Sequence, residues 1–498
     1  MRITDIATLQ AHAADYPAVP VWAVIPGEAR EPIEAFKVFK RLSRQAYILE
    51  SMEDTGRRGR YTFIGYDPKL CVDCKDGVLN IKNGTTLRVE TGDPGAYIRQ
   101  ILEENRTPRM EGLPPFTGGL VGYFSYDYIG YSEPGLGEVI RRDEDLEDFK
   151  DVDLMLFDKV VAYDHLERNV YLIVNIRTDY LEENYNRAVT ELEQMGRLFE
   201  RGELAEMPPL VLTSEMRLLF EKERYCAMVE RARAYIKEGD IFQVVLSNRL
   251  DADAEGSLFD AYRMLRRINP SPYMFYFSSD DLEIAGASPE TLVKVKDGEA
   301  FTYPLAGTKP RGATPEEDRA MEEELLADPK ERAEHNMLVD LGRNDIGKIS
   351  EFGSVVVEKY MEIERYSHVM HIGSTVQGRL RGDKTVTDAV DAVLPAGTLS
   401  GAPKIRACEI IAELEGNRRG VYGGAIGYLG FSGDMDTCIA IRIAYKKNGR
   451  VFVRAGAGIV YDSVPETEFE ECRNKAAAVV NALHQAAQEA AFMYRGRD

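Results

Sequence analysis

Two short stretches pair carboxylates three residues apart, each just after a proline. In ADPKERAEH the pair is Glu331 and Glu334; in DSVPETEFEE it is Glu468 and Glu471. Proline suits the first helical position, and residues three apart share a helix face. Each stretch therefore predicts a helix start with two acids on one side. The ordinary reading is electrostatic: acids in a first turn complement the macrodipole, and Asp328 with Glu331 makes a capping pattern. Four such carboxylates brought together, with no lysine nearby, would repel one another unless a divalent cation lay between them. Oxygen-only donors suit Mg²⁺, which keeps positions for water or substrate oxygens. Spacing alone does not show that the pairs meet.

A cation stands out as well. The run TCIAIRIAY, residues 437–445, reads as one strand. Alternation puts Ile439, Ile441, Ile443 and Tyr445 on one face, and Cys438, Ala440, Arg442 and Ala444 on the other. A lone arginine among small side chains needs an anion, either an internal acid or a substrate carboxylate gripped by both ends of the fork. In VFVRAGAGIVYD, Gly456 and Gly458 end a strand just before the second acidic helix. Glycine there serves either a β-bulge or a ligand close to the backbone. Gly307 and Thr308 in PLAGTKPRG, and Thr398 in PAGTLSGAPK, fit the same alternatives. His368 and His371 have the wrong spacing for one strand face and no further zinc ligands, so a satisfied core histidine is the default for each.

These residues need a scaffold, and the whole chain limits what it is. The 498 residues carry 83 acidic against 62 basic side chains, a net charge of −21. Such a field disfavours nucleic acid and anionic membrane as partners, and an anionic substrate would need local cations or a metal. At roughly 150 residues per domain the length allows two or three domains or one compound fold. No run reaches the ~18 apolar residues of a membrane span, and MRITDIATLQ lacks the apolar core of a signal peptide. Cys71 and Cys74 form the one CxxC, in a strand-like stretch without partners for zinc. Six sparse cysteines fit a reducing, cytoplasmic setting.

Strands are expected at 46–52 and 60–66 around a Gly/Arg turn, and a hairpin from VDLMLFDKVVAY to NVYLIVNI. An amphipathic helix follows at 180–201. The Pro-containing stretch 203–215 divides the chain into segments 1–202 and 215–490. The second segment alternates strands with helices at 221–238, 315–345 and after Pro465. Irregular alternation argues for α+β with largely antiparallel sheets. GxxxxGK[ST], GxGxxG opening a helix, HExxH and GxSxG are all missing, which disfavours nucleotide and serine-hydrolase chemistry.

Residues 220–485 resemble the chorismate-binding domain of chorismate-utilising enzymes. The strings that carry the likeness are YPLAGTKPRG, ERAEHNMLVDLGRNDIG, HVMH, LPAGTLSGAPK, GVYGGAIGY, CIAIR and AGAGIVYDSVPETEFEE. In the first half, LESMEDTGRRGRYTFIGYDP and FTGGLVGYFSYD resemble the N-terminal region of the anthranilate synthase component I family. The resemblance implies two packed, mainly antiparallel β-sheets flanked by helices. It implies Mg²⁺ between Glu331, Glu334, Glu468 and Glu471, holding the ring carboxylate of chorismate. Arg442, Tyr422, Lys475 and the Gly456–Ala457–Gly458 backbone are the implied contacts of the substrate's other groups. Gly307, Thr308 and Thr398 would line the ring pocket, His371 would lie near the departing C4 hydroxyl, and Glu290 would be its general acid. Hydroxide is a poor leaving group, so such an acid is required.

Two positions separate branches of the family. Members that add water usually carry lysine where this chain has Gln243, since water needs a base and neutral ammonia does not. Aminodeoxychorismate synthases commonly read P-I-K-G-T, with the lysine as nucleophile; here Ala306 stands in its place and cannot attack. Both favour a carbon–oxygen lyase that turns chorismate and ammonia into anthranilate and pyruvate, the first committed step towards L-tryptophan. Aminodeoxychorismate synthase component I and a silent tryptophan-sensing subunit are the alternatives. No nucleophilic-cysteine elbow is visible, so ammonia from glutamine would come from a separate amidotransferase subunit, in a heterotetramer. The resemblance also implies tryptophan feedback at Glu50 and Ser51, at Pro272, Tyr273 and Met274, and at Ile426, Tyr428 and Cys438.

Overall fold

The computed structural model describes residues 1–52, 59–141, 145, 147–365 and 369–495. Most of the Gly/Arg turn expected between residues 52 and 60 lies outside them, as does His368. Among the described residues the strands form two sheets, of 14 and 12 strands. The first runs from Arg2–Ile3 through Ala18–Pro26, Asn169–Arg177, Lys159–Asp164, Tyr61–Tyr66 and Ala46–Glu50. It continues into Tyr273–Ser278, Leu282–Ser288, Ile443–Lys447, Arg450–Ile459 and Gln243–Glu255. The second takes Leu305–Pro310, Val369–Arg379, Glu299–Thr302, Thr291–Lys296, Met435–Ile439 and Ala425–Gly430. It then runs on into Gly119–Phe124, Val152–Phe157 and the strands at 70–90. Each sheet thus joins early and late chain through one strand pair: Glu50 beside Met274 in the first, Phe124 beside Ala425 in the second.

The sheets pack face to face. Tyr47, Phe63, Phe275, Tyr445 and Phe452 of the first meet Tyr123, Met155, Ile426 and Tyr428 of the second in one apolar cluster. Helices cover the outer faces. Leu181–Arg201, Lys222–Glu238, Phe259–Ile268, Lys404–Glu415 and Pro465–Arg495 lie on the first sheet; Pro94–Glu104, Pro329–Gly347 and Val386–Val393 lie on the second. The α+β expectation, with two antiparallel sheets between helices, holds.

Two expected single strands break where the chain changes sheet. VDLMLFDKVVAY is two strands, Val152–Phe157 in the second sheet and Lys159–Asp164 in the first, and only the latter pairs with Asn169–Arg177 as a hairpin. TCIAIRIAY divides in the same way into Met435–Ile439 and Ile443–Lys447. Arg442 is therefore not on a strand face: it sits in the crossing, at φ +52°. Unbroken apolar alternation hides such crossings, because a residue buried between two sheets looks the same from either. A non-glycine residue held at positive φ is strained, and such strain concentrates at functional positions.

Candidate active site

A second crossing lies beside the first. Leu282–Ser288 belongs to the first sheet and Thr291–Lys296 to the second, so Pro289 and Glu290 bridge them. The Ile439 amide donates to the Glu290 carbonyl at 3.0 Å, and the Ala287 amide to the Arg442 carbonyl at 3.1 Å. The two crossings are thus stitched together, which brings an acid and a cation predicted from distant motifs to one place. The Thr398 hydroxyl donates to the Glu290 carboxylate at 3.0 Å. Burial pushes the Glu290 carboxyl up to about 7, against the opposing pull of the Thr398 hydrogen bond, Lys475 and Arg442. Arg442 opens to solvent in the cleft, yet desolvation by the surrounding walls still lowers its pKa, with Glu290 acting the other way. No internal acid pairs with it among the described residues. That leaves the substrate-carboxylate alternative for its fork.

His371 lies on Val369–Arg379, beside the strand that carries Gly307 and Thr308. Its Nδ1 is 2.7 Å from the Gly307 carbonyl and 3.2 Å from the Thr308 hydroxyl. A carbonyl only accepts, so Nδ1 carries a proton. Burial lowers the ring's pKa, the Gly307 carbonyl opposes this, and Arg442 lowers it further. The neutral ring then presents Nε2 as an acceptor. Gly307 itself has φ +63°, and a Cβ there would lie 3.0 Å from a Glu331 oxygen. Glycine lets the strand pass against the acidic helix.

Both acidic helices start as their sequences predict. Asp328 accepts from the Lys330 and Glu331 amides at 2.8 and 3.2 Å, and the helix runs Pro329–Gly347; the other opens at Pro465. The pairs come within electrostatic reach. Burial raises the Glu334 pKa, and the Glu331 and Glu471 charges raise it further; burial and Glu471 do the same for Glu468. The expectation of no nearby lysine is corrected: Lys475, one turn on from Glu471, bonds it at 2.7 Å and reaches the Gly456 carbonyl at 3.2 Å. Sequence reading of the acidic stretch ended one turn too early to count it. The donors are all carboxylate oxygens with mutual repulsion left over, a set that fits a hard divalent cation. Among the described residues no three Asp, Glu, His or Cys side chains gather at metal-ligand spacing. Water and substrate oxygens would have to complete any shell.

Gly456 and Gly458 sit in Arg450–Ile459, in unbroken register with Gln243–Glu255. The β-bulge reading therefore fails; the glycines make room. A Cβ at 456 would stand 2.9 Å from the Leu246 carbonyl and 3.0 Å from the buried Tyr422 hydroxyl, and one at 458 would stand 2.7 Å from the Gln243 amide. Tyr422 and Gln243 thus lie against the same short backbone stretch.

A separate cavity of about 710 Å³ is lined by Glu50, Ser51, Pro272, Tyr273, Met274, Ile426, Tyr428 and Cys438. All eight predicted regulatory residues meet here, at the seam where early and late strands pair. The acidic helix starts are not part of its wall. Glu50 is held by Arg266 at 3.0 Å and by the Tyr262 hydroxyl, while the buried Ser51 hydroxyl has no partner among the described residues. Pro289 and Thr291, which flank Glu290, belong to the same wall, and the Tyr273 hydroxyl bonds Thr291 and Asp436 at 2.7 and 2.8 Å. One element escaped sequence reading: a buried charge cluster of Glu415, Arg419 and Arg454 behind Tyr422. GNRRG reads as a solvated turn, and nothing in it signals burial.

Comparison with known proteins agrees with this architecture. The model of the chorismate binding enzyme family matches residues 45–481. The chain is 46% identical over 486 residues to anthranilate synthase component 1 of Acetivibrio thermocellus, covering 96% of this chain and 97% of that one. It is 43% identical over 476 residues to the Aquifex aeolicus protein of that name, covering 94% and 95%. The crystal structure of anthranilate synthase component I from Streptococcus pneumoniae superposes with a TM-score of 0.72 at 39% identity, over 91% of this chain and 98% of that one. The menaquinone-specific isochorismate synthase of Escherichia coli shares the fold, with a TM-score of 0.68 at 20% identity over 96% and 98% of the two chains. On near full-length identity and a matching fold, this chain belongs to the chorismate-binding enzymes, within the group of anthranilate synthase component 1 proteins.

Proposed function

We propose that the chain converts chorismate and ammonia to anthranilate and pyruvate, the first committed step towards L-tryptophan. The observation that carries this reading is the Glu290 carboxyl, poised near neutrality and held by Thr398 beside Arg442. Arg442, Tyr422 and the glycine-opened backbone at 456–458 grip the enolpyruvyl carboxylate, and Gly307, Thr308 and Thr398 flank the ring. Glu290 gives its proton to the C4 hydroxyl, which leaves as water while ammonia bonds to C2. His371, whose neutral ring presents Nε2 as an acceptor, orients the departing hydroxyl. Loss of the C2 proton and of the enolpyruvyl group as pyruvate then forms the aromatic ring. Glu331, Glu334, Glu468 and Glu471 would hold Mg²⁺, which when bound neutralises the carboxylates and anchors the substrate's ring carboxylate. Gln243 and Ala306 provide neither a base for water nor an amine nucleophile, which supports ammonia as the incoming group.

Ammonia comes from a separate glutamine amidotransferase subunit in a heterotetramer. L-Tryptophan inhibits from the cavity at the strand seam, where the Ser51 hydroxyl, without a partner among the described residues, and the Thr291–Tyr273 contact link an occupant to the residue beside Glu290. The sparse cysteines support a reducing, cytoplasmic setting. The test is incubation of the purified chain with chorismate, Mg²⁺ and ammonium at mildly alkaline pH, with fluorescence and mass detection. Anthranilate and pyruvate in equal amounts are expected. A product that keeps a C4 amine, or unchanged chorismate, would refute the reading.

A further inference from the structure

Behind the site lies a buried charge cluster with more cations than anions. Glu415, Arg419 and Arg454 are each 1–2% exposed. Both guanidiniums meet the one carboxylate, Arg419 at 2.6 and 3.0 Å and Arg454 at 2.6 Å. Ser247 supplies two further donors to the same carboxylate, from its amide at 2.8 Å and its hydroxyl at 2.9 Å. Burying charges costs more than such pairing usually returns, so stability alone is a poor account of the cluster. The remaining donors of Arg419 end on particular carbonyls. Arg419 reaches Leu399 at 2.6 Å and Val245 at 2.7 Å. Leu399 is next to Thr398, the donor to Glu290, and Val245 is two residues from Gln243. The Val245 amide also donates to the Ser400 carbonyl at 2.9 Å. One planar fork therefore ties the short Gly397–Leu399 turn to the Gln243–Glu255 strand.

We propose that Arg419, anchored by Glu415, is a positioning residue: by fixing the Leu399 carbonyl it aims the Thr398 hydroxyl at the Glu290 carboxylate. The inference rests on the functional reading above only for what Glu290 does, not for how it is held. Lysine keeps the charge of Arg419 but cannot span two carbonyls and a carboxylate at once. Arg419→Lys therefore loosens Thr398 without changing the local charge. The hydrogen bond from Thr398 stabilises the ionised carboxylate, so weakening it moves Glu290 upward.

The experiment follows the carboxyl stretch of Glu290 by infrared pH titration of the full chain, the band being identified by its loss in Glu290→Gln. Arg419→Lys is expected to raise the midpoint by about 0.5 to 1 pH unit. Thr398→Val should raise it as well, and the double variant should match Thr398→Val alone. A general loosening of the fold would instead add to the Thr398→Val effect. Glu415→Asp, which keeps the carboxylate charge but shortens the anchor of Arg419, should move the midpoint in the same direction and serves if Arg419→Lys is too unstable to purify. In turnover, Arg419→Lys should lower kcat roughly ten- to hundredfold with little change in KM for chorismate. An unmoved midpoint in the single variants, or an additive double variant, overturns the proposal. Wild-type protein that leaves chorismate intact would refute the functional reading instead, and the titration would still decide how Glu290 is held.

Discussion

Replacing Glu290 by glutamine keeps the shape of the side chain and removes its proton. The carboxyl is pushed up to about 7 from an ordinary 4.5. At pH 8 a carboxyl titrating near 7 is protonated about a tenth of the time, and one near 4.5 about three times in ten thousand. Burial at the sheet crossing thus multiplies the acid form roughly 300-fold at a mildly alkaline pH. The sign follows from the role. A general acid works protonated, so activity is full below the folded pKa and falls as pH rises through it. The quantity to measure is kcat/KM for chorismate, which reports the free enzyme, from pH 6 to 9 with free ammonia held constant. It should fall above about pH 7 in the wild type. Glu290→Gln should lower it by roughly 10² to 10⁴ and abolish that alkaline limb. A flat wild-type profile to pH 9, or a Gln variant within a few-fold of wild type, would refute the assignment.

Glu334→Gln should abolish Mg²⁺-dependent turnover, read as a Mg²⁺ titration of the rate; an unchanged titration would show that the metal lies elsewhere. Ser51→Phe fills the seam cavity, so inhibition by L-tryptophan should weaken roughly tenfold or more while uninhibited turnover is kept. Retained inhibition in that variant would move the regulatory site. Gly456→Ala places a methyl 2.9 Å from the Leu246 carbonyl, and 3.0 Å from the Tyr422 hydroxyl. It should raise KM for chorismate about tenfold and cost about 1–3 kcal/mol of stability, measured by kinetics and denaturant unfolding.

Local signals were legible wherever one residue type has one local use. Asp328 before Pro329 caps a helix because a side-chain oxygen satisfies first-turn amides, and the register of Glu331 with Glu334 follows from 3.6 residues per turn. The boundaries of Leu181–Arg201 and Lys222–Glu238 came from periodicity in the same way. That Arg442 is a cation set among small side chains was legible too. Its position was not. Two stretches read as single strands because alternation describes a half-buried strand and says nothing of which sheet buries it. The pairing of Lys475 with Glu471, one turn apart on one helix, was legible in the spacing and was missed; the burial of Glu415, Arg419 and Arg454 was not legible, because long charged side chains look solvated until a fold closes over them.

By itself the sequence determined the residue types, the helix starts and the apolar periods, all set within about four residues along the chain. Only the tertiary structure decided that Glu290 and Arg442, 152 positions apart in number, stand at neighbouring crossings between two sheets. It alone brought Ser51 beside Tyr273 across the strand seam, and pushed the Glu290 carboxyl above the ordinary carboxylate range by burying it. The reason is physical: desolvation, charge neighbours and hydrogen-bond partners act through space over a few ångströms, and the chain order does not record which distant segments will share that space.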